Sequence, residues 1–157
     1  MTPAQAIEKE IEREEQDRKK ANEKFDQAIK DWRVAVGGKK GELFLSMMDT
    51  WGEEINIGLE IEGKRLALAA VTAHPDDPIG AIDAEYTAEH KKLDQLGREA
   101  QALRERLFLN HPYSKDPPPR RYTDELRTMD AEFAAELGRL RGKSIARAAV
   151  AAALKGG

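Results

Sequence analysis

The sequence predicts a mainly α protein in which long helices pack along their length. Charged residues make up 35% of the 157-residue chain and aromatic residues only 6%, proportions typical of long helices around a thin core. Between Ile79 and Leu107, mostly apolar residues recur at alternating steps of three and four, which is the heptad spacing of paired helices. Gly37-Gly38 and the proline-rich segment 110–121 divide the chain into separate helical stretches. We therefore expect an antiparallel helical hairpin or coiled coil, preceded by a projecting N-terminal helix.

The first element is a long N-terminal helix over residues 1–36. Thr2 is suited to cap this helix, Pro3 fits its first position, and Gln5 completes a capping box with Thr2. We expect the helix to end at Gly37, because glycine tolerates the left-handed conformation that closes many helices.

The two halves of this helix differ in the size of their heptad residues. The first half is thin and charged apart from Ile7 and Ile11, whereas Phe25 and Trp32 make the second half bulky. We expect the second half to dock on the body of the protein and the first twenty residues to project. On this interpretation Ile7 and Ile11 are left for a partner helix.

Residues 37–78 hold a short apolar helix and a segment of ambiguous periodicity. The helix covers 42–51, and its large apolar side chains lead us to expect it at the centre of the core. Beyond it, apolar and polar residues alternate from Ile55 to Ile61, and Gly63-Lys64 supplies a two-residue turn, so we favour a β-hairpin at about 55–72. The alternative is a single helix, in which each of three internal glycines costs about 1 kcal/mol relative to alanine.

Residues 79–157 are predicted to form an antiparallel helical hairpin with a proline-rich link at 110–121. Its first helix runs to about Leu109 and its second from about Thr123 to Leu154. The link contains Pro117-Pro118-Pro119, which excludes a helix there and leaves enough chain to reverse direction. We expect the heptad residues of the two helices to cover each other.

One short motif carries a chemical resemblance. Residues 65–73 lead into His74-Pro75-Asp76-Asp77, and this run resembles the zinc-binding opening of the LmbE-like (PIG-L) N-acetylglucosamine deacetylases. The resemblance implies that His74 and Asp77 bind zinc and that Asp76 acts as a general base on a metal-bound water.

The chain departs from that family directly after the motif. The family continues with Glu where this chain has Pro78, and it uses a further metal-binding histidine, for which only His90 and His111 remain. A turn in which Asp77 caps the next helix, with Pro78 at its first position, explains the same residues. A deacetylase-like zinc site is therefore the third of the functions considered.

The distribution of charge keeps a second function open. The chain has 26 Lys and Arg against 29 Asp and Glu, and its formal net charge of −3 gives no overall attraction to nucleic acid. Late in the chain, however, no acidic residue follows Glu136, and basic residues cluster. A helical nucleic-acid-associated subunit would use this basic surface. The residues concerned are Arg120, Arg121, Arg139, Arg141, Lys143 and Arg147.

The function that these patterns favour is a non-enzymatic structural or adaptor subunit of a multi-subunit assembly, for example a phage particle or a bacterial complex. We expect a protein partner or self-association, no membrane, no metal or other cofactor and no small-molecule substrate. The chain has no cysteine and no apolar stretch near the roughly 20 residues that span a bilayer, so the expected location is the cytoplasm or a particle assembled there. The expected interface residues are Ile7, Ile11, Phe25, Trp32, Leu93, Leu96, Leu103 and Leu107.

Overall fold

The structure, a computed structural model, describes the backbone of residues 1–110 and 120–156 and the side chains of 1–107 and 124–156. Within these backbone ranges it contains four helices: α1 (Pro3–Val34), α2 (Gly38–Ala73), α3 (Pro78–Asn110) and α4 (Arg120–Gly156). No strand occurs in these parts of the chain. The prediction of a mainly α protein is confirmed.

The ends of α1 follow the sequence prediction closely. The Thr2 hydroxyl accepts a hydrogen bond from the Gln5 amide, and the Gln5 side chain accepts one from the Thr2 amide at 2.9 Å, which is a capping box. After α1, Gly37 has a φ of +67°, a backbone conformation in which a side chain would be strained. The turn into α2 therefore depends on a glycine at this position.

The predicted β-hairpin at 55–72 is wrong, because this segment lies within the continuous helix α2. The buried side chains of Ile61, Lys64 and Val71 lie on one helical face, and Ile57 and Leu68 pack against the same core at intervening steps of three and four. The short alternation in the sequence is compatible with this helical spacing as well as with a strand. Tertiary packing of the helical face decides between them.

The four helices form two antiparallel hairpins. In the first hairpin, α1 and α2, Arg65 forms an ion pair with Glu15 at 2.6 Å, and the rings of Trp32 and Phe44 meet at the other end with their centroids 6.4 Å apart. In the second hairpin, α3 and α4, ion pairs join Asp83 to Arg147 near one end and Arg104 to Asp130 towards the other.

The two hairpins are joined where α2 and α4 cross. A Cβ atom placed on Gly63 would collide with the carbonyl oxygen of Arg139, and a Cβ atom on Gly142 would collide with that of Glu60. The two backbones therefore touch at this crossing, which only glycine allows. Around it lies the core, formed by Ile7, Ile11, Ile61, Ala67, Val71, Ile82, Ala146 and Val150.

The two hairpins also repeat each other in sequence and in burial. Residues 62–73 (EGKRLALAAVTA) align without a gap with 141–152 (RGKSIARAAVAA), and seven of the twelve positions are identical. Residues 2–14 align less closely with 77–89, with five of thirteen positions identical, and Ile7 stands opposite Ile82, both fully buried. The protein is therefore an internal duplication in which the second hairpin packs against the first about an approximate two-fold axis.

The expectation that the first twenty residues project is also wrong. Ile7 and Ile11 are buried in the core, and Ala6 is buried too. The outer half of the first hairpin is the exposed part instead: Phe25 and Trp32 are only half-buried. The small side chains in the first half of α1 reflect close packing against α2 and α4, because a thin face lets helices approach each other.

The close crossing makes the effect of an added methyl group depend on which glycine carries it. Gly63→Ala or Gly142→Ala should lower the free energy of unfolding in urea by about 1–3 kcal/mol, because backbone must move to admit the Cβ atom. Gly52→Ala, in the same helix as Gly63 but with no atom within 4 Å, should raise it by up to about 1 kcal/mol. Equal effects at Gly63 and Gly52 would contradict the crossing.

Candidate protein-binding site

A patch of large apolar side chains lies exposed on the N-terminal half of α2. We call it the arm face, and its side chains have exposed fractions between 40% and 66%. Contiguous apolar surface of this kind is unusual on a soluble monomer and marks interaction sites more often than single exposed residues do. The arm face consists of Phe44, Leu45, Met48, Trp51 and Ile55. The expectation that 42–51 forms the centre of the core is therefore wrong.

The arm face continues a surface of α2 that α4 covers further along. Steps of four, three and four lead from Phe44 to Ile55, and the next step of four leads to Leu59. Leu59 lies against Gly138 of α4, where an added Cβ atom would come within 2.7 Å of the Leu59 Cβ. One half of this helical face is thus covered by a helix of the same chain, and the other half is not.

The duplication provides an internal comparison for the arm face. Phe44, Met48, Trp51 and Ile55 correspond in the second hairpin to Thr123, Arg127, Asp130 and Ala134. Of these, Arg127 and Asp130 are exposed and charged, with Asp130 paired to Arg104. Because the same place in the fold accepts polar residues in one hairpin, the fold itself does not require apolar residues in the other.

Acidic residues lie on both sides of the arm face: Asp49 and Glu53 follow Leu45 at steps of four, and Glu54 follows Trp51 by three residues. Asp49, Glu53 and Glu54 lie on the same turns of α2 as Met48 and Trp51. The structure shows no ion pair to any of these three carboxylates from the side chains it describes. These borders therefore present uncompensated negative charge beside an apolar surface.

Part of the arm face lies against α1. The Trp32 ring contacts Phe44, and the Lys40 ammonium lies 4.8 Å from the centroid of the Trp32 ring, within the range of a cation–π contact. These contacts fix the outer end of the first hairpin. They also hold Phe44 in place at the edge of the arm face.

Two buried lysines lie inside the body of the protein rather than at a surface site. The fully buried Lys64 ammonium is 2.7 Å from a Glu14 carboxylate oxygen and 3.7 Å from one of Glu10. Its counterpart Lys143 is 3.1 Å from Glu85 and 3.6 Å from Glu89. Both clusters combine a lysine with two glutamates four residues apart, and both follow the repeat. The buried charges are paired, as burial in a low-dielectric interior demands.

Burial shifts the ionisation of one glutamate in each cluster. It raises the pKa of Glu14 above its ordinary value, an effect only partly offset by the hydrogen bond and charge of Lys64. Burial likewise raises the pKa of Glu89, and the neighbouring Glu136 carboxyl adds to the rise. Because Lys64 and Lys143 are buried with these carboxylates, we infer that each cluster stabilises the packing of the two helices within its own hairpin.

The structure buries four of the eight predicted interface residues inside the molecule. Leu93 and Leu103 are buried, and Leu96 and Leu107 are half-buried, all on α3, which α4 accompanies. With Ile7 and Ile11 in the core, this leaves Phe25 and Trp32, half-buried on α1, nearest to exposed surface.

The predicted basic surface is largely neutralised within the chain. Arg139 pairs with Glu62 at 2.9 Å, Arg141 with Glu60 at 3.3 Å, and Arg147 with Asp83. Lys143 is the buried lysine described above. Arg120 and Arg121 lie outside the described side chains.

The segment that resembles a deacetylase motif forms the turn between the hairpins. Asp77 accepts a hydrogen bond from the Gly80 amide at 3.0 Å, which caps α3, and His74 is an exposed residue at the end of α2. In the described part of the chain, no group of three or more His, Asp or Glu residues is arranged to hold a metal ion. The geometry here is that of a helix cap.

Comparisons of the chain with protein-family models, with curated proteins and with solved structures find no match. Among the described residues, no helix has an apolar stretch long enough to cross a membrane.

Sequence reasoning missed both the arm face and the repeat. The apolar stripe at 44–55 is visible in the sequence, but only the structure shows that it lies outside the core. The repeat was detectable by aligning Gly63-Lys64 with Gly142-Lys143, which extends into the matching Ala-Ala-Val of both helices.

The raised pKa of Glu14 and of Glu89 predicts a pH dependence of stability. Between the ordinary value of 4.5 and the raised value, the folded protein holds protons that the unfolded chain has released. These two groups therefore make the free energy of unfolding fall as pH rises through that window. The variant Glu14→Gln/Glu89→Gln removes both carboxyls and with them this pH-dependent part of the free energy of unfolding. Relative to the original protein, the free energy of unfolding of the variant should therefore increase as pH rises from 4.5. Urea titrations at several pH values measure this difference.

The exposed pair Glu12→Gln/Glu53→Gln is the control, because it removes the same number of carboxyls without changing either buried cluster. A flat difference for Glu14→Gln/Glu89→Gln would show that burial does not raise the pKa of these carboxyls.

Proposed function

We propose that this protein is a non-enzymatic structural or adaptor subunit that binds a helix of another protein on its arm face. The observation that carries the proposal is the difference between the hairpins: four apolar residues line α2 where α4 has Thr, Arg, Asp and Ala. A multi-subunit assembly in the cytoplasm, such as a phage particle or a bacterial complex, is the setting proposed for such a subunit.

The form of the arm face indicates an α-helix as its occupant. Its residues follow heptad spacing along α2, which is the pattern that a partner helix covers. The neighbouring stretch of the same face is already covered by a helix, α4. Full burial of a large apolar side chain contributes about 1.5–3 kcal/mol, and the arm-face side chains, already about half covered, would gain about half of that from a partner.

The charge of the border favours a partner with basic flanks. Asp49, Glu53 and Glu54 carry negative charge without ion pairs among the described side chains, so lysine or arginine beside the partner's apolar stripe would complement them. A second copy fits less well, because two arm faces brought together would also bring together two sets of these carboxylates. The proposed occupant is therefore a basic amphipathic helix of a different protein.

The nucleic-acid alternative lacks comparable support. Its four described basic residues pair with acidic side chains of the same chain, and two of those pairs join the hairpins. The deacetylase-like alternative lacks the required group of ligands in the described residues. We therefore propose neither.

Tryptophan fluorescence tests the proposal directly. The chain has two tryptophans, so Trp32→Phe leaves Trp51 as the only one and reports on the centre of the arm face. Two synthetic helical peptides of about three heptads, with the same leucine stripe but with either lysine or glutamate borders, serve as probes. We expect the lysine-bordered peptide to shift Trp51 emission to the blue in a saturable way, and the glutamate-bordered peptide to leave it unchanged.

A substitution within the arm face supplies the specificity control. Met48→Glu should weaken binding of the lysine-bordered peptide at least about tenfold, because it replaces a buried apolar contact by a charge. Arg127→Glu, at the corresponding position of the second hairpin, should leave the affinity unchanged. Equal binding of both peptides, or none by either, would contradict the proposal. So would a dimer of this protein that light scattering detects and Met48→Glu abolishes, since the occupant would then be a second copy.

A further inference from the structure

The crossing of α2 and α4 obeys the symmetry of the repeat residue by residue. In the alignment of the two hairpins, Glu60 corresponds to Arg139 and Gly63 to Gly142. The contact of Gly63 with the Arg139 carbonyl and the contact of Gly142 with the Glu60 carbonyl are therefore the same contact seen from either side. This is the geometry of an interface between two equivalent subunits, here within one chain.

The ion pairs at the crossing also obey this symmetry, but corresponding residues of the two hairpins carry opposite charges. Glu62 corresponds to Arg141, so the ion pair of Glu62 with Arg139 and that of Glu60 with Arg141 are also equivalent. Both positions are acidic in the first hairpin and basic in the second. An interface between identical hairpins would instead place like charges opposite each other.

Each ion pair has one well-covered partner. The Glu60 and Arg139 side chains are 18% and 25% exposed, whereas Arg141 and Glu62 are about half exposed. The attraction is thus less screened than that of a fully exposed pair. Reversing the charge on one side would place like charges at a site with restricted access to water.

We propose that Glu60, Glu62, Arg139 and Arg141 form a pairing code by which each hairpin accepts the unlike hairpin and rejects a like one. A first hairpin that met another first hairpin would bring four carboxylates together at the crossing, and two second hairpins would bring together four guanidinium groups. Repulsion between like charges is a common means of excluding wrong partners. The code directs α2 to an α4 rather than to another α2, and it keeps two first hairpins or two second hairpins from pairing through the crossing surface.

This inference is independent of the arm face. It concerns a different stretch of α2, and it would hold if the arm face bound nothing.

A charge-reversal cycle on the full chain tests the code. The three variants are Glu60→Arg/Glu62→Arg, Arg139→Glu/Arg141→Glu, and the fourfold combination. Each double variant should raise the equilibrium constant for unfolding at least about tenfold, since like charges then face each other. Arg139 also pairs with Glu136, and Glu60 also lies beside the Glu14 carboxyl, so the stability of the fourfold variant is compared with the sum of the two double-variant effects rather than with the original protein. If the two double variants acted independently, their factors of increase in the unfolding equilibrium constant would multiply in the fourfold variant. We expect the constant of the fourfold variant to lie at least about tenfold below that product. It should also lie below the constant of Arg139→Glu/Arg141→Glu.

The control is Asp49→Arg/Glu53→Arg, which makes the same change in net charge on α2 away from the crossing and should leave stability nearly unchanged. Added NaCl should narrow the difference between Glu60→Arg/Glu62→Arg and the original protein, an effect that lost packing would not show. If both double variants fail to fold, a folded fourfold variant supports the code and an unfolded one overturns it. Additive effects, or double variants as stable as the original, would also overturn it.

Discussion

The close approach of α2 and α4 is the constraint on which the rest of the structure depends. Gly63 and Gly142 bring backbone against backbone, and this proximity allows the small and medium side chains of both hairpins to close one core. Ile7 and Ile82 can be fully buried because each hairpin lies within reach of the other. With larger residues at the crossing, the helices would separate and this core would lose its packing.

The same approach explains the unusual burial of charge. Lys64 and Lys143 each follow a crossing glycine directly in sequence, and both are withdrawn from water. Each is matched by glutamates of the adjacent helix of its own hairpin, so the charges are compensated inside the separate hairpins. The ion pairs of Glu60 and Glu62 then join one hairpin to the other. Charge thus contributes at two levels: it holds each hairpin together and it distinguishes the two hairpins.

Much of the secondary structure follows from local signals, whereas the tertiary placement does not. The capping box at Thr2 and the Asp77-Pro78 start of α3 can be predicted from single residues, because caps depend on nearby atoms. The helix at 55–72 could not, since a short alternation fits a strand equally well and the glycine that counts against a helix proves to be a contact point with α4. The sequence wrongly predicts Ile7 to face a partner, because the side chains that cover it lie far away in the sequence. For the same reason, the exposure of Phe44 and Trp51 became visible only when α4 was seen to leave that part of α2 uncovered.

The arm face and the crossing are two parts of one surface of α2, and α4 covers only the crossing. Around Glu60 and Gly63, α4 of the same chain covers this surface. Around Met48 and Trp51 it is exposed. The crossing can be tested directly by a disulfide, because the chain has no cysteine of its own. Leu59→Cys with Gly138→Cys should form an intramolecular disulfide under mild oxidation, because the two Cβ positions lie 2.7 Å apart and a shift of about 1 Å brings them to the roughly 3.5–4.5 Å of a disulfide. Met48→Cys with Gly138→Cys, about three helical turns away along α2, should stay reduced. Free thiols at positions 59 and 138, or links only between separate chains, would contradict the crossing on which this account of the protein rests.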